Sequence, residues 1–170
     1  MDATALRAMQ APIKERYKAD AGAALITLKA KGTLDDQNIA CKVETGRALA
    51  VAGLHPATGG SGLELCSGDM LLEALVACAG VTMSAVATAL GITLRSGAVA
   101  AEGDLDFRGT LGVAKDVPVG FQRIRVRFTI DTDAGANERE KLLELTRRYC
   151  VVYQTLVAGV PVEMSYDGAA

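Results

Sequence analysis

The feature that most restricts how this chain can fold is a run of nineteen residues without a charge, from Ala74 to Ile92. Ser67 is a suitable N-cap for a helix containing this run, Asp69 falls in its first turn, and Gly91 is a suitable stop. The sequence therefore predicts one long helix. Because this helix is apolar around its whole circumference, protein or lipid must cover every side of it.

A membrane is the first way to cover such a helix. A span needs about 20 apolar residues, so the run is barely long enough. Its many Ala, Ser, Thr and Gly residues keep its hydrophobicity modest, and the loops carry no polarised Lys/Arg bias. The first 22 residues also lack the apolar segment of a signal peptide. We therefore expect a cytoplasmic protein with no membrane partner.

The remaining segments predict an α+β fold with mostly antiparallel strands, in a single domain over residues 1–170 with a helical extension at 1–20. Residues 3–19 have helical spacing that Pro12 interrupts, and Asn137 with Glu140 resembles a capping box that opens a second long helix. The predicted order is α, ββ, long α, ββ, αα, β. The strands are expected at 23–31, within 39–53, at 99–108, at 123–131 and at 160–168, and a last short helix at 150–159.

A second copy of the chain is the simplest cover for the far side of the long helix. An antiparallel sheet covers only one face, and the stripe Gly80, Ser84 and Thr88 would allow another backbone to approach closely. The sequence thus predicts an obligate homodimer with the central helices at its interface.

Charge and composition exclude several kinds of partner. The net charge is −2 and the pI about 5.4, which gives no indication of nucleic-acid binding. The row Arg123, Arg125 and Arg127 is typical of a solvated strand face. One histidine and no CxxC pair do not suit a metal site, so we expect no bound cofactor.

The four cysteines, at 41, 66, 78 and 150, are the candidate reactive groups. Cys78 lies in the long helix, where a free cysteine commonly packs as a small hydrophobe. Asp69 is nine residues away, on the opposite side of the helix and roughly 13.5 Å along its axis, whereas Thr82 is one turn on. A charge that tunes Cys78 must therefore come from a loop or from the partner chain.

Two other cysteines also lie where a thiolate is favoured. Cys150 stands between two predicted helices, after Arg147 and Arg148, so a helix N-terminus and a cation would both favour its ionised form; alternatively, it packs as a small buried residue. Cys66 lies just before a helix start, and the residues leave it open as a low-pKa thiol.

Two motifs resemble the OsmC/Ohr family: "SGDMLLEALVACAGVTMSAVATALGI", like its central helix, and "RRYCVVYQTLVAGVPVEMSYD", like its second cysteine motif. The resemblance implies antiparallel sheets packed on a long buried central helix, in an intertwined homodimer. It implies a peroxiredoxin-like peroxidase that reduces organic hydroperoxides, with Cys78 peroxidatic and Cys150 resolving. An external dithiol or lipoyl-type reductant would then reopen the disulfide.

This chain departs from the family pattern around the thiol. Family members place an arginine before the motif's glutamate, and the pair poises the thiolate. Here Asp69 stands at the glutamate position, and no arginine lies between Arg47 and Asp69, so Arg47 or His55 is the candidate cation. Val151 stands where the family has a proline after the second cysteine.

Two other functions remain open on the residues. One is a non-catalytic dimer that binds a small apolar ligand. The other is a different cysteine-based transfer reaction, with Cys78 or Cys66 assisted by His55.

Overall fold

The computed structural model describes residues 2–19, 31–34, 40–44, 49–112, 114–166 and 168. The described elements are α1 (Ala3–Ala19), β1 (Lys31–Leu34), β2 (Ala40–Glu44), β3 (Leu49–Gly53), β4 (Leu65–Cys66), α2 (Ser67–Leu90), β5 (Ser96–Leu105), α3 (Phe107–Thr110), β6 (Phe121–Asp131), α4 (Ala136–Tyr149) and α5 (Val151–Ala158), with a 3₁₀ turn at Pro56–Thr58. They follow the predicted α+β order up to the last helix, except that β4 precedes α2 and a short helix, α3, separates β5 from β6.

The strands form two sheets. In the first, β1, β2 and β3 pair antiparallel, and the short β4 adds to β3 in parallel, a pairing that the sequence did not predict. In the second, β5 and β6 form an antiparallel pair. Arg125 on β6 bonds to the carboxylates of Glu102 and Asp104 on β5, at 3.3 Å and 2.7 Å, which confirms the solvated charged face predicted for these strands.

Helix α2 contacts elements on both sides of it in the chain. Its residues at every fourth position, Leu75, Ala79, Met83 and Ala87, are buried, and it contacts β5, α4 and α5. The predicted long helix is thus confirmed. It is long and apolar enough to cross a membrane, a property shared by core helices, and one stripe of it is buried in the single chain. On its other side, Val81 is 72% exposed in the single chain.

Three predicted details at helix ends and within helices were wrong. Cys66, not Ser67, is the N-cap of α2, because β4 keeps the chain extended as far as Cys66 through its pairing with Gly53. Helix α4 begins two residues earlier than the predicted capping box, with Glu138 Oε2 accepting from the Gly135 amide at 2.7 Å. Pro12 does not end α1, which continues through it at the loss of one backbone donor.

The strand predicted to close the chain is also absent from the described part of the C-terminus. Residues 160–166 form no strand, and Val160, Val162, Met164 and Tyr166 all expose their side chains. A strand needs a hydrogen-bonded neighbour, and alternation alone does not supply one. Phe107, expected at the end of a strand, instead opens α3. Most of the strand predicted at 23–31 lies outside the described residues.

Gly91 ends α2 as predicted, and it gives a first test of the fold. Its φ of 72° lies in the left-handed region, and no atom would obstruct an added Cβ. Replacing Gly91 with Ala should therefore lower the free energy of unfolding by about 1 kcal/mol through backbone conformation alone. Urea denaturation at fixed protein concentration measures this change. Gly91→Asn should cost less, because asparagine tolerates this conformation, and equal losses would contradict the explanation.

Candidate functional site

The two cysteines of the predicted redox pair meet in the core. Cys78 lies midway along α2 and is half-buried, while Cys150, between α4 and α5, is only 1% exposed. The two thiols act on each other: the Cys150 thiol lowers the pKa of Cys78, and Cys78 raises the pKa of Cys150. Leu75, Ala79 and Cys150 form one buried cluster, against which Cys78, Val152 and Tyr153 pack.

The backbone at Cys150 explains how this residue reaches α2. Its φ of −74° and ψ of 108° are extended, so it interrupts what would otherwise be one helix. Its amide bonds to the Thr146 carbonyl at the end of α4, and its carbonyl accepts from the Gln154 amide at the start of α5. Cys150 is therefore the junction of two helices, and the amino-terminal end of α5 faces Cys78.

The surroundings of Cys78 favour its thiolate. Burial by itself raises the pKa of this thiol, but hydrogen bonds outweigh that effect and the pKa lies below its ordinary value. In decreasing order, the donors are the Val152 amide, the Cys150 thiol, the Thr82 hydroxyl and the Val151 amide. Thr82 also donates to the Cys78 carbonyl at 2.7 Å. A hydroxyl has a single proton, so while Thr82 donates to the carbonyl it is a weaker donor to the sulfur.

Cys150 is affected in the opposite direction. Burial raises the pKa of the Cys150 thiol, and its hydrogen bond to Cys78 raises it further, while the Tyr153 and Val152 amides offset only part of the increase. The start of α5 thus favours a thiolate at Cys150, as predicted, but burial and the neighbouring Cys78 outweigh it. Of the two sulfurs, Cys78 is the one favoured as a thiolate.

An apolar cavity of about 450 Å³ lies on the Cys150 side of the pair, and Cys78 is not among its lining residues. The cavity extends between α2, β6, α4 and α5, and Cys150 forms part of its wall. Two arginines also line it, one from β6 and one from α4. Its apolar wall includes Leu75, Phe128, Tyr153 and Leu156, and the two arginines are Arg123 and Arg147.

The other predicted site residues lie apart from this pair or outside the described residues. Asp69 is exposed in the first turn of α2. The His55 Nδ1 accepts from the Ala57 amide at 3.0 Å, and its ring stacks on Phe107 with centroids 5.0 Å apart. Arg47 lies outside the described residues. The predicted roles of Asp69, His55 and Arg47 stay predictions.

The sequence predicted that a charged group from outside α2 tunes Cys78. In the part of the chain that the structure describes, a helix end takes that place. No charged side chain in that part of the chain contributes to the pKa shift of Cys78. Backbone amides from Val151 and Val152, on another helix, act there instead. Sequence reasoning missed them because it considered only side chains as partners, although it did place a helix start next to Cys150.

A family comparison covers the region that contains both cysteines. Residues 60–165 match the family model described as OsmC-like protein. No curated protein matches the sequence.

Solved structures show the same fold at low sequence identity. An OsmC-like protein from Mycoplasma pneumoniae superposes with a TM-score of 0.65 at 16% identity, over 79% of this chain and 89% of that one. An organic hydroperoxide resistance protein from Legionella pneumophila gives 0.57 at 19% identity, over 78% and 90%. Another, from Elizabethkingia anophelis, gives 0.57 at 18%, over 79% and 90%. These similarities establish the fold.

Proposed function

This chain belongs to the OsmC-like protein family, and from that premise we propose that it reduces organic hydroperoxides as a thiol peroxidase. The observation that carries the proposal is the contact between the two sulfurs, in which Cys150 donates to a Cys78 thiol whose pKa is lowered. Solved proteins of this fold that are named organic hydroperoxide resistance proteins support a peroxidase-type activity at the level of the family.

In the proposed reaction, the Cys78 thiolate attacks the terminal oxygen of the hydroperoxide. The O–O bond breaks, the alcohol leaves with a proton, and Cys78 becomes a sulfenic acid. Cys150 then attacks the Cys78 sulfur, water leaves, and a disulfide forms. An external dithiol or lipoyl-type reductant returns two electrons and restores both thiols. No bound cofactor takes part.

The apolar cavity supports an organic substrate over hydrogen peroxide. Its aromatic and aliphatic walls lie next to Cys150, so the alkyl or aryl part of a hydroperoxide would be buried on the Cys150 side of Cys78. We further propose that the enzyme is a cytoplasmic homodimer. The exposure of Val81 on α2 supports a second copy as the cover for that side of the helix.

The cavity also supports a second function, the binding of a small apolar ligand without catalysis. The two functions differ in what happens to the sulfurs: a binding protein would leave both cysteines reduced when a hydroperoxide is added. A third, a transfer reaction with Cys66 or Cys78 and His55, has less support, because the described contacts of the His55 ring are with the Ala57 amide and Phe107.

Mass spectrometry after one equivalent of cumene hydroperoxide tests the proposal directly. The reduced chain should lose two hydrogens, and peptide mapping should join Cys78 to Cys150, because these sulfurs are already in contact. In the matched Cys150→Ser variant the chain should instead gain one oxygen at Cys78. Two unreacted thiols would favour the binding protein, and a covalent product at Cys66 would favour the transfer reaction.

A further inference from the structure

The C-terminal segment, residues 160–166, has the side-chain pattern of a strand but no partner strand in the described structure. We propose that it adds as an edge strand to β6 of a second copy of the chain, and that each copy gives its segment to the other. The inference specifies how the proposed homodimer is joined, and in that sense it rests on the proposed function. It does not depend on the peroxidase reaction, so the two can fail separately.

The backbone of the C-terminal segment is available for pairing. Helix α5 ends at Ala158, and the Gly159 amide closes it by donating to the Thr155 carbonyl at 3.2 Å. Beyond that bond, residues 160–166 make no hydrogen bond in the part of the chain that the structure describes. A row of unpaired N–H and C=O groups is a template on which another strand can form.

The side chains of the segment alternate as those of an amphipathic strand do. Large hydrophobic residues stand at every second position, with proline or a polar residue between them. They are Val160, Val162, Met164 and Tyr166, with exposed fractions of 54%, 78%, 90% and 90%. In a strand these four would share one face, and nothing in the single chain covers it. Pro161 lacks an N–H, which suits an edge strand that pairs on one side.

The β5–β6 pair has an edge and two faces that fit this segment. Among the described strands β6 pairs with β5, and its other edge has no partner. One face of the pair packs toward α2 through Ile124 and Val126, and the opposite face carries the charged side chains. A strand added to β6 would therefore place its hydrophobic residues on the α2 side and Glu163 on the charged side.

Charge distinguishes β6 from β5 as the partner. On the charged face β5 carries Glu102 and Asp104, which would repel Glu163. At the same face of β6, Arg127 is exposed and lies opposite Ala100 of β5, so β5 offers it no acid there. Arg127 forms no ion pair within the described ranges. Glu163 on a strand next to β6 would supply one.

A second copy is the occupant that these observations favour. In the single chain the segment stays exposed although β6 of the same chain has an unpaired edge, and the exposed Val81 on α2 also calls for a second copy. Two copies related by a two-fold axis would exchange their segments reciprocally. Because β6 also lines the apolar cavity, the segment of the second copy would extend the cavity wall.

Photo-crosslinking identifies the occupant of the β6 edge. Unlabelled and ¹⁵N-labelled full-length chains, both with p-benzoyl-phenylalanine in place of Tyr166, are mixed in urea and refolded together. After irradiation, crosslinks from residue 166 to β6 (Phe121–Asp131) should join labelled with unlabelled peptides. Crosslinks to β6 within single chains only would overturn the exchange, and so would the absence of any crosslink to β6.

A charge exchange tests the same contact without a probe. Glu163→Arg should weaken dimerisation about tenfold, because it places like charges together in both symmetric contacts. Combining it with Arg127→Glu should restore most of the affinity. Glu140→Arg makes the same change of net charge on α4 and should have little effect. Sedimentation equilibrium at several protein concentrations gives the dissociation constant of each dimer.

The outcomes separate this inference from the other proposals. A dimer that Glu163→Arg does not weaken, or that Arg127→Glu does not restore, would overturn the strand exchange and leave the proposed homodimer standing. A chain that stays monomeric at every concentration would overturn both. Hydroperoxide turnover is measured on separate samples and bears on the peroxidase alone.

Discussion

Replacing Cys78 with Ser should reduce the consumption of cumene hydroperoxide, with dithiothreitol as reductant, by about three orders of magnitude or more. The reason is that a serine hydroxyl stays protonated at neutral pH, so the hydrogen bonds that favour a thiolate at this position have no anion to stabilise. The measurement is the loss of hydroperoxide over time at a fixed concentration of reduced protein.

Cys150→Ser is the matched control for this experiment. It removes the resolving sulfur but keeps a hydrogen-bond donor next to Cys78, so the first oxidation should still occur. A sulfenic acid should then accumulate and be trapped by dimedone at Cys78 in the absence of reductant. Turnover that survives Cys78→Ser would show that a different thiol attacks the peroxide, with Cys66 as the first to examine.

The second large effect concerns stability. Leu142 on α4 is 0% exposed and packs with Met83 and Ala87 on α2 and with Phe128. Leu142→Ala should lower the free energy of unfolding by about 3 kcal/mol, because the lost methyl groups leave a cavity between α4 and α2. Urea denaturation at fixed protein concentration should show an earlier midpoint with an unchanged slope.

Leu143→Ala is the control because it makes the same chemical change at the next position of the same helix. Leu143 is 38% exposed, so less apolar surface is lost and little or no cavity forms. Its cost should be less than half that of Leu142→Ala. Equal costs for the two variants would mean that α4 does not pack on α2 through Leu142.

Signals that are local in sequence predicted much of the fold. The uncharged run predicted α2, because consecutive residues of one helix carry the signal. Gly91 predicted its end, because glycine readily adopts the left-handed backbone conformation found there. Alternation predicted β5 and β6 for a similar reason. Helix starts were less reliable: the N-cap of α2 moved to Cys66 because a strand pairing, invisible in the local pattern, keeps that residue extended.

For the candidate site, too, the sequence predicted some features and left others to contacts across the fold. The sequence alone determined that Cys78 lies on a long apolar helix, that Cys150 stands between two helices, and that Asp69 cannot reach Cys78 along its own helix. Which sulfur is favoured as a thiolate depends on contacts across the fold. Burial raises the pKa of Cys150, whereas hydrogen bonds outweigh burial at Cys78. Such contacts join residues far apart in sequence, and neither helical periodicity nor strand alternation specifies them.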